Sequence, residues 1–298
     1  MNAPRPNPVA VITGGASGIG LELARRLART HRIALLDING AAAQRGADDL
    51  GENTIAIECD ICSQDSVTAA IDEVLARFGR IDVAVSNAGI GTVGAVRHLD
   101  PDVLAVQLDV NLTGNWRFSH ACLPALARTG GYLLGIASAA AITAPPAEAF
   151  YSASKAGLEA LLNVARVEVA HLGIAVGIGY LMFIDTPMVR DGDREHSDLA
   201  QMRAMLPGPA GKTYPVSLAA DQLAQGIRRR SRRIFVPSSL RWQYALRGFL
   251  PPLLDRSFAK MAPQVDRLTQ TNVRERGAFA AAFNHDHVGR FDKPTKDR

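Results

Sequence analysis

The sequence predicts an α/β fold: a doubly wound parallel sheet with helices on both faces, followed by a helical C-terminal extension. Three observations carry this expectation. Short uncharged runs that read as buried strands alternate with helical patterns from Val9 to Tyr180, the βαβ order that a parallel sheet needs. A glycine-rich loop, Thr13-Gly-Gly-Ala-Ser-Gly-Ile-Gly20, joins the first strand to the first helix. Gly14, Asp37, Asn87, Ser138 and Asp185 all fall at C-terminal strand ends, where open sheets of this kind bind ligands.

The elements follow in order. Val9–Thr13 reads as a buried strand, and Leu21–Thr30 as the first helix. The glycines between them permit φ > 0 and let a phosphate approach the backbone, while the helix N-terminus offers unbonded N–H groups to a pyrophosphate. Ile33–Asp37 is the second strand. Its terminal acid lies 23 residues after Gly14, about where a Rossmann-type fold places a carboxylate for the adenosine ribose. Thr54–Glu58 is a short strand ending at Cys59-Asp60, and Ser63–Phe78 is helical with Ser63 as its N-cap. Ile81–Ser86 is a strand followed by Asn87-Ala88-Gly89. Pro101–Leu126 is one long or broken helix carrying Asn111. The run Gly131 to Ala137 is a strand closed by Ser138, a helix runs from Tyr151 to about Leu172, and Ile174–Tyr180 is a strand.

Tyr151 and Lys155 stand four residues apart and so share a helix face. An ammonium beside a phenol favours the phenolate, so Lys155 is expected to lower the Tyr151 pKa and prepare it for proton transfer. Ser138 at its strand end is placed to hold a substrate oxygen near that hydroxyl.

These pieces together resemble a classical short-chain dehydrogenase/reductase over residues 8 to about 236: Thr13-Gly14-x-x-x-Gly18-x-Gly20, Asp60, Asn87-Ala88-Gly89, Asn111, Ser138, Tyr151-x-x-x-Lys155 and Ile184-Asp185-Thr186. The resemblance implies an NAD-dependent oxidoreductase with a Rossmann-type sheet. Tyr151 would be the general acid/base, Ser138 would orient the substrate oxygen, and Lys155 would tune Tyr151 and bond the nicotinamide ribose. Asn111 would hold a relay water. Gly14, Ser17, Gly18, Ile19, Gly20, Asp37, Asp60, Ile61, Asn87, Ala88, Gly89, Tyr151, Lys155, Ile184 and Thr186 would contact NAD, with no metal. A homodimer or homotetramer is implied as well. The family has Pro-Gly where this chain has Leu181-Met182, so the methionine side chain must turn away for the nicotinamide to sit in the usual way.

Composition bounds the rest. With 47% hydrophobic and 21% charged residues the chain fits a soluble globular protein, and the apolar run Ile174 to Ile184 is too short to span a bilayer. Met1 to Pro8 is polar and proline-rich, with no signal-peptide pattern. Three cysteines fit a reducing compartment, so a cytoplasmic location is expected. Cys59-x-x-Cys62 lacks further ligands near it and reads as structural; His285-x-His287 reads as solvated tail. Arg228 to Arg233 suits a helix C-terminus, and no nucleic-acid partner is expected.

Residues 1–238 are expected to form the catalytic domain, 239–283 a helical extension, and 284–298 a disordered tail. Residues 222–298 hold 16 Lys/Arg against 6 Asp/Glu, whereas residues 1–221 hold 17 against 23. Trp242, Leu246, Phe249, Leu250 and Leu253 form a helical stripe, which Pro251-Pro252 is expected to break or kink. That stripe either packs on the core or another subunit or, with Arg241, Arg247, Arg256 and Lys260 around it, rests on a membrane surface. Met188 to Leu206 reads as a lid. The near-absence of charge in Ala139–Ile142, Pro145, Pro146 and Phe150 points to an apolar alcohol or ketone substrate. A lyase or epimerase using the same cofactor, and a non-catalytic NAD-binding sensor, are the alternative readings.

Overall fold

A computed structural model describes residues 7–195, 197–206, 211–277 and 282–283. The expected tail, with His285 and His287, lies outside the described residues, and the segment expected to be a lid, 188–206, is described except at 196. Seven strands form one sheet: β1 (Val9–Thr13), β2 (Arg32–Asp37), β3 (Thr54–Glu58), β4 (Val83–Ser86), β5 (Tyr132–Ile136), β6 (Ala175–Leu181) and β7 (Arg233–Val236), in the spatial order β7-β6-β5-β4-β1-β2-β3. Every pairing is parallel, with Ala10 opposite both Ile33 and Val83. The order reverses between β1 and β4, and at that switch point two loops diverge and leave a crevice.

Helices cover both faces. Successive side chains of a strand point to opposite sides, and here each side is a core. Val9, Val11, Ala34 and Leu36 join one apolar cluster, completed by Val67, Phe118 and Leu158 from α3 (Gln64–Phe78), α5 (Asn115–Thr129) and α6 (Ala149–Glu168). Ala10, Ile12, Ile33 and Leu35 join the other, completed by Leu23, Ala43 and Leu223 from α1 (Gly18–Leu27), α2 (Gly40–Leu50) and α7 (Val216–Arg228). Each fully buried Val, Leu or Ile contributes about 1.5–3 kcal/mol, which explains why uncharged runs marked the strands. Ser63 caps α3 as expected, its hydroxyl accepting from Ser66 N–H.

The helix expected over Pro101–Leu126 is α4 (Pro101–Leu108) and α5 joined by a π-helical turn, Asp109–Gly114. Asn111 sits in that turn, a local widening that often marks a functional position.

The C-terminal stripe is not one helix. It is divided between α8 (Leu240–Ala245) and α9 (Leu250–Arg276). Pro251-Pro252 does not break a helix but begins one. In the first turn the missing N–H is no loss, and the fixed φ favours helix entry. Among the described residues no helix is long and apolar enough to cross a membrane.

Candidate active site

A cavity of about 610 Å³ opens over the C-terminal ends of β1, β4 and β5. Its floor is the glycine loop. Gly14 and Gly18 hold φ of +62° and +50°, values that side chains resist. A Cβ on Gly14 would stand 2.9 Å from Asn87 Nδ2 and 3.0 Å from Ala88 Cα, so the loop is packed directly against the loop after β4. Asn87 ties the two, donating to the Thr13 and Gly14 carbonyls at 3.0 and 3.2 Å. Ser17 precedes α1 without a side-chain cap bond, and Gly18 and Ile19 face the cavity. The α1 N-terminus therefore presents N–H groups and a positive dipole end to it. Asp37 lies at the far wall, its carboxylate accepting from Ala16 N–H and Asn39 N–H, each at 3.0 Å. These residues fit a dinucleotide.

Ile61, Ala88, Gly89 and Thr186 also line the cavity, together with Ser138, Tyr151 and Lys155. Gly20, Asp60, Asn111 and Ile184 do not. Gly20 packs behind the loop against Gly14. The Asp60 carboxylate accepts from Cys62 N–H at 2.9 Å in the turn after β3. Ile184 is buried in the core cluster of the α1 face. Asn111 is wholly buried; its amide donates to Ile90 O at 2.9 Å and Ser154 Oγ at 3.2 Å and accepts from Ile90 N–H at 2.9 Å. Its side chain thus holds the loop after β4 in place. A Cβ on Gly89 would stand 3.2 Å from Asn111 Oδ1 and 3.5 Å from Lys155 Nζ, so the two side chains converge behind that glycine. Among the described residues no group of three or more His, Cys, Asp or Glu is placed to hold a metal, and none of Cys59, Cys62 and Cys122 is in a disulfide.

Ser138 and Tyr151 meet in the cavity as the strand end and helix start require: burial pushes the phenol's pKa up to about 12, the charge of Glu148 adds to the rise, and the neighbouring serine hydroxyl pulls the other way. The expected depression by Lys155 is absent here. Lys155 Nζ lies 5.7 Å from the Tyr151 ring centroid and donates to Ile136 O at 3.0 Å. Burial lowers the lysine itself to about 8. In a site of low dielectric, desolvation of both charged forms outweighs their mutual attraction.

Sequence reasoning passed over one acid. Glu148 lines the cavity three residues before Tyr151 and adds its charge to the forces that raise the tyrosine. By area it is only partly buried, being open toward the cavity, yet protein surrounds its carboxyl and lifts its pKa from 4.5 to about 7. The folded protein therefore binds a proton that the unfolded chain has already lost. Stability from this group is full below about pH 4.5 and falls as pH rises towards 7. Glu148→Gln is expected to raise stability at pH 8 by roughly 1–2 kcal/mol, after allowance for solvent in the cavity, and to leave it unchanged near pH 4.5. Thermal melts at the two pH values check this.

The segment leading to Glu148 is strained. Ala144 and Ala147 hold φ of 42° and 72° on either side of Pro145-Pro146. Ala147 is packed against Val265 of α9, and its carbonyl accepts from Gly94 N–H at 2.8 Å. The C-terminal extension also builds the outer wall: Gln243, Leu250, Leu254 and Phe258 face the cavity beside Met188, Val189 and Leu206. Met182 lines the same space while packing on the core of the α6 face.

The family model for short chain dehydrogenases matches residues 8–197. An uncharacterised NAD-dependent oxidoreductase of Mycobacterium tuberculosis is 33% identical over 229 residues, covering 70% of this chain and 82% of that protein. The 11-beta-hydroxysteroid dehydrogenase 1A of Arabidopsis thaliana is 29% identical over 264 residues, covering 83% and 73%. Among solved structures, a 3-ketoacyl-(acyl-carrier-protein) reductase of Brucella melitensis complexed with NADH superposes with a TM-score of 0.70 at 25% identity, covering 78% of this chain and 97% of that one.

Proposed function

Since the chain belongs to the short-chain dehydrogenase family and is an oxidoreductase, we propose that it uses NAD to interconvert an apolar secondary alcohol and its ketone. The observation that carries this reading is the meeting of Ser138, Tyr151 and Lys155 in one cavity whose outer wall is Leu206, Leu250, Leu254 and Phe258. Bound nicotinamide supplies or accepts the hydride. The side chains supply the proton and the alignment. Ser138 Oγ holds the substrate oxygen beside Tyr151 Oη, which gives its proton to that oxygen in reduction and takes it back in oxidation. Lys155 would bond the nicotinamide ribose and brings positive charge to the site, and Asn111 anchors the loop after β4 beside it. Protonated at neutral pH, Tyr151 is ready to donate, so oxidation of the alcohol quickens as pH rises.

NAD is preferred to NADP because Asp37 accepts hydrogen bonds from ribose hydroxyls and repels a 2′-phosphate. Ile38 and Asn39 bring no cation, and among the described residues of the cavity wall Lys155 is the one Lys or Arg. Steady-state assays with a panel of apolar secondary alcohols are expected to give kcat/KM at least about tenfold higher with NAD than with NADP, roughly 1.4 kcal/mol. Asp37→Ala is expected to narrow that ratio. Preference for NADP would overturn the cofactor assignment. Failure of every alcohol and ketone would overturn the reaction.

The same reading draws support from the relatives, one named as NAD-dependent and one as acting on hydroxysteroids. Both names are compatible with an apolar alcohol.

A further inference from the structure

We propose that the elbow between α8 and α9 docks on an anionic membrane surface and that the apolar substrate enters the cavity from that surface. The second half rests on the reaction proposed above. Trp242, Leu246, Phe249 and Leu253 are 64%, 53%, 73% and 73% exposed. They make up half of the large exposed hydrophobics of the described chain and fall within one elbow. A concentrated apolar patch on an otherwise ordinary surface marks an interaction site.

Charge decides the occupant. Arg241, Arg256 and Lys260 are exposed around the patch, with Arg247 exposed beside them but paired with Glu159, against the single acid Asp255 between Trp242 and Lys260. The Arg241 guanidinium stands over the Trp242 ring at 5.3 Å, a pairing of aromatic and cation suited to the headgroup layer. Cations near an anionic leaflet each add to attraction, and salt screens them. A second copy of this chain is the poorer partner, since a two-fold interface would lay the patch on itself and bring like charges together.

The elbow is held firmly enough to present this face. Arg247 donates to Glu159 of α6 at 2.6 Å and lies over the Tyr244 ring at 4.4 Å. The helix has a second face. Leu250, Leu254 and Phe258 recur at helical spacing and line the cavity, while their neighbours Phe249 and Leu253 point to solvent. One turn of α9 thus separates the catalytic cavity from the apolar patch. The apolar patch and the apolar part of the cavity wall are neighbours on the same stretch of chain. Among the described residues no helix can span a bilayer, so the attachment is shallow and reversible.

The test is co-sedimentation of the full-length protein with vesicles of phosphatidylcholine, alone or mixed with phosphatidylglycerol. Binding is expected to be at least about tenfold stronger to the mixed vesicles, to weaken with salt, and to be lost in a Trp242→Glu, Phe249→Glu, Leu253→Glu variant. NADH binding and turnover of a small water-soluble alcohol by that variant are expected to stay near wild type, showing that it is folded. Mixed vesicles are expected to raise turnover of a long-chain secondary alcohol by the wild type and not by the variant. No binding to mixed vesicles at low salt overturns the docking. So does a variant that binds them normally but changes oligomeric state on sizing, which would make the patch a contact between copies. Vesicle binding without turnover of any alcohol leaves the docking standing and removes the reaction instead.

Discussion

Replacing Tyr151 with phenylalanine is expected to lower turnover at least about a hundredfold, the usual contribution of a positioned acid or base, with NADH affinity nearly unchanged. The ring at the start of α6 stays; only the oxygen that acts with Ser138 goes. Among the described residues of the cavity wall Tyr151 is the one phenol. Lys155 is engaged with Ile136 O, and Glu148 sits one helical turn before the tyrosine. Glu148 also gives a graded companion. Its negative charge raises the Tyr151 pKa, so removing that charge should move the alkaline rise of alcohol oxidation to lower pH. Stopped-flow and steady-state rates, with NADH binding followed by fluorescence, separate loss of chemistry from loss of binding. A Phe variant with near-normal turnover would remove Tyr151 from the mechanism.

Gly20→Ala is expected to act on cofactor binding rather than on turnover, through an unrelated cause. Its Cβ would collide with the Gly14 carbonyl oxygen and would stand 2.8 Å from Asn87 Nδ2. The backbone cannot yield there without breaking the Asn87 bonds that join the loops after β1 and β4. Overpacking of this kind costs about 1–3 kcal/mol, and NADH affinity is expected to fall at least about tenfold, equivalent to roughly 1.4 kcal/mol. Gly248→Ala is the control, since nothing lies within 4 Å of the added carbon. Titration and thermal melts of both variants check this. Equal affinities would mean that the loop is not built around a ligand.

Much of this architecture was legible because local pattern and burial agree. β1 and β3 have the expected bounds, since a strand buried on both faces must be a short uncharged run. The crevice residues were legible because strand ends are sites of ligand binding in any such sheet. What escaped depended on neighbours distant in sequence. Glu148 is a single acid in an apolar stretch and makes no periodic signal. The pKa of Tyr151 reflects how much protein surrounds it, which spacing to Lys155 does not reveal. The apolar residues from Trp242 to Leu253 have helical spacing by chance of two helices meeting. Pro251-Pro252 then reads as a break rather than a beginning, and the inward face of α9 is hidden with it.

The two left-handed alanines have a consequence for how the enzyme loses activity on heating. A non-glycine residue in that conformation costs roughly 1–2 kcal/mol, and between Ser138 and Tyr151 there are two, Ala144 and Ala147. Ala147 is kept there partly by Val265, a residue of the extension rather than of the sheet. If α9 loosens first, the segment between the two reactive hydroxyls is released to relax while both cores remain intact. Heat inactivation then precedes the cooperative melt, and half-life at temperature is governed by α9.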